Sequence, residues 1–194
     1  MPAKPTTNSW LFPPTTQEVQ FDEKWSFVGK KQKHCAPDEA SCGDCWDHVA
    51  LDPEHRLVVG AVVGKRTDAN ARQVVHELRE RTDGRFLNLI TSDEHPAYAT
   101  AIAEVYAETA PAAGAAAKRL PPELVYATVH KTREGNRVVK VEARLIFGTL
   151  VSLAAALVWA VLNCVNTVFV ERSNGSDRHR NGRKGRKTYR FSKD

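Results

Sequence analysis

Apolar and polar residues alternate strictly near the start of the chain, over residues 17–28. The apolar positions are Val19, Phe21, Trp25 and Phe27, and the polar positions between them are Gln20, Asp22, Lys24 and Ser26. This period of two predicts a β-strand with one buried face. Two further apolar runs, at 46–51 and 57–63, flank a turn at 52–54 that contains a proline. Three consecutive strands joined by short connections predict an antiparallel meander.

The next part of the chain changes to helical spacing. Apolar residues recur every three or four positions over 68–81, which predicts a helix. A short apolar strand at 86–90 follows and ends at Asp93, and Pro96 suits the first turn of a second helix that continues to Ala107. Two β-like segments, 125–130 and 138–147, predict a hairpin. The chain is therefore expected to form an α/β domain, with a mixed sheet flanked by helices.

The expected organisation is an extended leader at 1–16 and one domain at 17–194. An insertion of about 108–162 contains the hairpin, after an Ala-rich segment. No charged residue occurs from Leu145 to Val170. An uncharged run of this length is compatible with a membrane helix, whereas the small and polar residues that interrupt it are compatible with a buried helix followed by a buried strand. We favour the second reading and expect no membrane partner.

Positive charge is concentrated at the C-terminal end. Residues 172–194 carry nine basic and two acidic side chains, a local charge of +7, whereas the whole chain has +5. The basic residues are Arg172, Arg178, Arg180, Arg183, Lys184, Arg186, Lys187, Arg190 and Lys193. Such a tail indicates a phosphate-rich partner, and the alternative is a solvated terminus. No secretory signal is evident and the cysteines are clustered, so we expect a cytoplasmic protein.

Three acids occupy positions suited to metal chemistry. Asp22 lies on the polar face of the first strand, Asp93 lies just after a strand, and Glu171 begins a polar segment with helical character. In α/β sheets, sites form beyond the carboxyl ends of strands. Phosphodiester chemistry with two metals needs carboxylates that bridge hard cations such as Mg²⁺ or Mn²⁺. The alternative is that each acid is an ordinary surface residue.

Four segments resemble a known family. They are FDEKWSFVG at 21–29, TSDEHPAY at 91–98, VERSN at 170–174 and RKGRKTYRFSK at 183–193. Together they resemble the acidic motifs and C-terminal signature of DDE transposases from bacterial insertion sequences, of the insertion-sequence-one type. The resemblance implies an RNase H-like fold, with which the expected element order agrees. It also implies strand nicking and strand transfer at element ends with Mg²⁺ or Mn²⁺.

The resemblance also assigns roles to individual residues. Asp22, Asp93 and Glu171 would bind the metals, with Asp22 bridging both, and the basic tail would contact DNA. Asp83 competes for the second acidic position because TDG at 82–84 also resembles the middle motif, but Asp93 follows the apolar strand and is preferred. Arg178 lies seven residues after Glu171, on the same helix face, and is expected beside the DNA phosphate. Partners would be DNA, a second copy in a homodimer and an upstream DNA-binding segment supplied separately.

Two other readings concern the cysteines and the overall activity. Cys35, Cys42, Cys45 and His48 contain one Cys-x2-Cys pair, but the first gap of six residues is atypical for zinc, so we do not expect a zinc site. The chain is expected to be an active transposase domain. The alternatives are an inactive DNA-binding remnant of the same fold and a membrane-anchored protein with a basic tail.

Overall fold

The computed structural model describes residues 15–109, 118–135 and 137–184. Most of the expected leader, the Ala-rich segment at 110–117 and the end of the basic tail lie outside these ranges. The strands are β1 (Glu18–Val28), β2 (Gly43–Asp52), β3 (Leu57–Gly64), β4 (Leu89–Asp93), β5 (Glu108–Thr109), β6 (Lys118–Arg119), β7 (Tyr126–Glu134) and β8 (Arg137–Phe147). The helices are α1 (Asp68–Arg81), α2 (Pro96–Tyr106), α3 (Leu150–Trp159) and α4 (Val168–Arg180), with short 3₁₀ turns at Gln32–His34 and Gly182–Lys184.

Six of these strands form one mixed sheet in the order β3-β2-β1-β4-β7-β8. The strands β1, β2 and β3 are antiparallel neighbours, as the meander predicted. The strands β4 and β7 are parallel to β1, and β8 returns antiparallel to β7. The predicted hairpin is therefore present, but it extends the main sheet, since β7 pairs directly with β4. The expected α/β class, a mixed sheet flanked by helices, is confirmed.

One face of the sheet packs against α1 and α2. Val19 and Phe21 of β1 are fully buried in this core, and the ring of Phe21 stacks on that of Tyr98 in α2 at 4.9 Å between centroids. Thr67 caps α1 by accepting a hydrogen bond from the backbone N–H of Asn70, and α2 begins at Pro96. Apolar periodicity, a cap and a proline at the first turn thus produce both helices where the sequence predicted them.

The other face of β1 is polar and is also buried, which differs from the expectation of a single buried face. Glu18, Gln20 and Lys24 are each less than 5% exposed. The reason is that β1 is a central strand of the sheet, and α4 covers the face opposite α1 and α2. Polar side chains can be buried in this way only when their hydrogen-bonding groups find partners.

These partners come from α4 and the segment before it. The side-chain carbonyl of Gln20 accepts hydrogen bonds from the backbone N–H groups of Phe169 and Val170, both at 3.1 Å. Its amide group donates to Asn166 at 3.0 Å. The N–H groups in the first turn of a helix have no partner within the helix. Gln20 therefore caps α4 from a neighbouring strand.

The same pattern continues along β1 and α4. Asp22 accepts a hydrogen bond from the side-chain amide of Asn174 at 2.7 Å, and the ammonium of Lys24 pairs with Asp177. Alternate residues of the strand thus meet residues three or four apart on the helix, because these are the periods of the two elements. We call these contacts of Gln20, Asp22 and Lys24 the β1–α4 network.

The uncharged stretch from Leu145 to Val170 forms neither of the two structures considered from sequence. It contains the end of β8, the ten residues of α3, a loop, and the start of α4. Within the described ranges, no helix combines the length and apolar character needed to cross a membrane. The expectation of a buried helix followed by a buried strand is wrong. Only one side of α3 packs on the sheet, through residues such as Ala156 and Leu153, and it is followed by a loop and α4, with no strand between Ala160 and Lys184.

Replacing Gln20 with leucine tests the β1–α4 network. The change leaves the N–H groups of Phe169 and Val170 buried without an acceptor, so we expect the free energy of unfolding to fall by about 2–4 kcal/mol. Urea denaturation of the metal-free protein measures this. Gln73→Leu, on the exposed side of α1, is the matched control and should change stability by less than about 0.5 kcal/mol. Equal effects of the two substitutions would contradict the role assigned to Gln20.

Candidate metal-binding site

Two of the three acids lie side by side on the central strands. In the parallel pairing of β1 with β4, Phe21 is opposite Ser92. Asp22 and Asp93 take the next positions on the two strands, and both side chains point to the face covered by α4. The negative charge of Asp93 contributes to a raised pKa of Asp22, which reflects their proximity. The sequence expectation that these two acids come together agrees with the structure.

Glu171 reaches the same place from the first turn of α4. The hydroxyl of Thr167, the N-cap residue of this helix, lies 2.6 Å from the Oε1 atom of Glu171 and 3.2 Å from the Oδ1 atom of Asp93. One hydroxyl is therefore within hydrogen-bonding distance of both carboxylates. Asn174, one turn further along α4, holds Asp22. All three acids predicted from sequence thus gather between the middle of β1, the end of β4 and the face of α4.

A lysine that sequence reasoning missed lies among these acids. The ammonium of Lys131 forms an ion pair with Glu171 and lies 3.4 Å from both Asp93 and Thr167. Its position follows from strand register: Val129 on β7 is opposite Asp93, so Lys131 is two residues further on the same face. Burial lowers the pKa of Lys131, but its hydrogen bond to Glu171 and the charge of Asp93 outweigh this effect and raise it. The lysine therefore carries a positive charge within the group of acids.

Burial raises the pKa of the Asp22 carboxyl. Removal from water raises the pKa of its carboxyl to about 6, against the opposing effect of the hydrogen bond from Asn174. The charge of Asp93 raises the pKa further, because two nearby carboxylates resist simultaneous ionisation. An added cation would relieve both effects.

The donor set suits a hard divalent cation. Three carboxylates and the hydroxyl of Thr167 supply oxygen ligands of the type that Mg²⁺ and Mn²⁺ prefer. The ammonium of Lys131 already pairs with two of the acids, Asp93 and Glu171. In the part of the chain that the structure describes, no three His, Cys, Asp or Glu side chains form a ready metal centre. Thr167 and Lys131 each contact both Asp93 and Glu171, whereas Asp22 accepts its hydrogen bond from Asn174. A metal would have to replace some of these contacts.

Two residues weighed from sequence have other roles. Asp83 occupies the turn after α1, with a backbone φ of 53°, and lines a cavity beside α1 and α2 on the opposite face of the sheet from α4. His95 is the N-cap of α2, where its Nδ1 atom accepts a hydrogen bond from the N–H of Ala97 at 3.1 Å. The preference for Asp93 over Asp83 therefore agrees with the geometry, and His95 caps a helix.

The predicted DNA-binding residues fall into three groups. Arg172, Arg180 and Arg183 are exposed on α4 and in the segment after it, and Arg178 on α4 is half-buried. Lys184 pairs with the buried Asp47 of β2 and lies 3.9 Å from Asp177, so its charge is used within the fold. The remaining four, which lie outside the described residues, are Arg186, Lys187, Arg190 and Lys193.

The cysteine cluster does not form a common metal position. Cys45 and His48 are three residues apart on β2, so their side chains point to opposite faces of the strand. His48 is fully buried, and its Nε2 atom lies 3.3 Å from the carbonyl oxygen of Lys65. Burial raises the pKa of the Cys45 thiol, which opposes the thiolate form that zinc binds.

Comparison with protein-family models, with curated proteins and with solved structures finds no significant match to the chain. The geometry and chemistry of Asp22, Asp93 and Glu171 are therefore the basis for assigning a function.

The raised pKa of Asp22 predicts a specific pH dependence of stability. Between about pH 4 and pH 6 the folded protein binds more protons at this site than the unfolded chain does, so its free energy of unfolding decreases as the pH rises. Asp22→Asn removes this loss. We expect the variant to be more stable than the wild type by about 2–3 kcal/mol at pH 8 and to have no advantage below pH 4.

Chemical denaturation in the presence of EDTA, at several pH values, measures this difference. The matched control is Asp38→Asn, which makes the same chemical change at an exposed position. A stability difference between wild type and Asp22→Asn that does not vary with pH would show that Asp22 ionises normally in the folded protein.

Proposed function

We propose that this chain is the catalytic domain of a DDE-type transposase, which cleaves DNA strands at the ends of an insertion element and transfers them to a target. The observation that carries the proposal is the gathering of Asp22, Asp93 and Glu171 from the middle of β1, the end of β4 and the first turn of α4. Each acid comes from a different element, and each lies in one of the three acidic segments that resemble the family. Mg²⁺ or Mn²⁺ would be the cofactor.

The sheet topology supports this proposal. An antiparallel meander of β3, β2 and β1, followed by the parallel strands β4 and β7, is compatible with the RNase H-like fold that the resemblance implies. In this interpretation β1 is the central strand and carries the first acid, β4 carries the second, and the last helix carries the third. The additional strand β8 extends the sheet on the side of β7.

The charges around the site support a metal ion and a polyanion as joint ligands. Asp93 and Glu171 share the ammonium of Lys131, and Asp22 lies beside Asp93 on the neighbouring strand, so the three acids together attract further positive charge. Arg172 is exposed directly after Glu171, and Arg180 is exposed two turns further along α4. Arginine recognises phosphate groups through charge-assisted hydrogen bonds. A DNA backbone along α4 would therefore pass beside the acids.

The residues of the chain would position the reactants. Asp22, Asp93 and Glu171 would hold two metal ions, which supply activation of the attacking oxygen and stabilisation of the leaving oxygen. Asn174 fixes the orientation of Asp22 through its hydrogen bond. Thr167 orients Asp93 and Glu171 together, because its hydroxyl lies within reach of both. A cytoplasmic location and a homodimer belong to the same proposal.

The second candidate function is DNA binding without catalysis, by a transposase remnant. The observation in its favour is the ion pair of Lys131 with Glu171 and its approach to Asp93. A chain that has lost catalysis can retain this pairing, because the lysine neutralises the acids without a metal. Dependence of activity on divalent metal separates the two candidates.

Nicking of supercoiled DNA by the purified protein tests the proposed activity. We expect nicking with Mg²⁺ or Mn²⁺ and none with EDTA. Asp22→Asn, Asp93→Asn and Glu171→Gln should each lower the rate about 100-fold or more, because each removes a metal ligand. Asp83→Asn is the matched control for the competing acid and should retain activity.

Binding of the same variants to DNA is measured in parallel, and we expect it to be retained in all of them. A wild type that binds DNA but does not nick it with either metal would favour the remnant. Loss of activity in Asp83→Asn with retention in Asp93→Asn would reverse the assignment of the second acid.

Lys131→Met tests whether the lysine competes with the metal. Two partly exposed ion pairs contribute on the order of 1–2 kcal/mol, so their removal should strengthen Mn²⁺ binding about tenfold. Electron paramagnetic resonance of free Mn²⁺ measures the affinity directly, independently of activity. Lys30→Met removes an exposed lysine that pairs with Glu39 and should leave the affinity unchanged. Weaker binding in Lys131→Met would show that the lysine supports the metal site.

A further inference from the structure

Part of the uncharged stretch from Leu145 to Val170 forms an apolar surface on the outside of the protein. Leu150, Val151, Val158 and Trp159 project from the outer side of α3, and their exposed fractions lie between 67% and 80%. Large apolar residues that are exposed together on one element mark sites of association more often than isolated ones do. An exposed tryptophan is a frequent centre of protein interfaces.

The neighbouring strand β8 has the same character. It is the last strand of the six-stranded sheet, with eleven residues, and in the described part of the chain only one of its edges is paired. Four of its residues have exposed fractions between 41% and 60%, namely Val138, Val139, Val141 and Ile146. A long apolar edge strand offers unpaired backbone N–H and C=O groups to another strand.

Val141 of β8 lies on the same face of the sheet as α3. Leu145 of β8 packs against the inner side of α3 together with Ala156 and Ala160. The pairing of β8 with β7 is regular from Lys140 to Leu145, so alternate residues, including Val141, share the face of Leu145. We call the exposed apolar residues of β8, together with Leu150 and Val151 at the start of α3, the β8–α3 surface.

The charges of β8 indicate what covers this surface. Lys140, Glu142 and Arg144 alternate in sign along the opposite face of the strand. Within the chain Lys140 pairs with Glu142, and Arg144 pairs with Glu94. The side chains of Lys140 and Arg144 remain more than half exposed, so their charges also act on a strand placed beside β8.

When such a strand pairs antiparallel with a copy of itself about a two-fold axis at Ala143, Glu142 lies opposite Arg144 of the second copy. With the axis at Val141, Glu142 lies opposite Lys140 of the second copy. Opposite charges at directly paired positions stabilise a sheet, and like charges destabilise it.

The strand is thus electrostatically complementary to itself in two registers, with Glu142 at the centre of both. An axis at Glu142 would bring like charges together and is disfavoured. Self-complementarity is the property that a two-fold symmetric interface requires, since the same surface is used by both copies. In both favoured registers, even-numbered residues pair with even-numbered residues of the second copy, and odd-numbered residues pair with odd-numbered ones. The corresponding faces of the two copies therefore lie on the same side, so both α3 helices are on one face of the joined sheet.

We propose that two copies of this chain associate through their β8 strands into a continuous twelve-stranded sheet, with their β8–α3 surfaces in contact across the axis. The inference does not depend on the proposed catalysis. It accounts for the exposed apolar residues at the start of α3, which belong to the stretch without charge. Backbone pairing, apolar burial and the charges at Lys140, Glu142 and Arg144 then act together.

Analytical ultracentrifugation of charge variants tests this association. The wild type should sediment as a dimer of the 21.6 kDa chain at about 100 µM, a concentration at which micromolar complexes form. Glu142→Lys makes the three positions all cationic, and Lys140→Glu with Arg144→Glu makes them all anionic. Each variant alone should be monomeric, because every symmetric register then opposes like charges.

A mixture of the two variants should form a heterodimer, since all-cationic and all-anionic strands are complementary. Heterodimer formation also demonstrates that both variants are folded. Glu80→Lys, the same charge change on the exposed side of α1, is the matched control and should leave the wild-type dimer intact. The inference is overturned if the wild type is monomeric at this concentration, as it would be with another segment or partner on the surface. A Glu142→Lys variant that dimerises like the wild type would overturn it as well.

Discussion

The buried polar contact between β1 and α4 is the constraint on which the rest of the structure depends. A central strand normally presents apolar residues to both layers of helices, but β1 presents Gln20, Asp22 and Lys24 to one of them. Burying such groups is favourable only if each finds a partner. The backbone N–H groups of the first turn of α4, the amide of Asn174 and the carboxylate of Asp177 provide these partners. The position of α4 on the sheet is therefore set by hydrogen bonds and ion pairs.

This constraint also creates the candidate site. Because α4 is held along β1, Glu171 is brought to the end of β4, where Asp93 lies. The arrangement gathers negative charge in a half-buried place. The side chains of Thr167, Asn174 and Lys131 donate hydrogen bonds to these carboxylates. The raised pKa of Asp22 is the consequence of the same burial. The three acids outnumber the ammonium of Lys131, so this place keeps a net negative charge.

The centre of the sheet and its β8 edge are stabilised by different interactions. At its centre, polar groups are buried and paired within the chain, whereas at the β8 edge apolar groups and backbone hydrogen-bonding groups are left exposed. The proposed association of two copies would satisfy the β8 edge in the way that α4 satisfies the centre. In such a dimer the two candidate sites would belong to one rigid sheet, so the distance between them would be set by the β8 pairing.

Local patterns in the sequence were sufficient for most elements and for the three acids. Alternation predicted β1, helical spacing predicted α1, and the acids Asp22, Asp93 and Glu171 were identified from their positions after or within such elements. The tertiary structure alone decided that the polar face of β1 is covered, that the hairpin joins β4, and that Lys131 lies among the acids. The physical reason is the separation in sequence between residues that come into contact. Periodicity indicates which side of an element is apolar. The neighbour that covers each side depends on strand order and register, which bring together residues far apart in the chain.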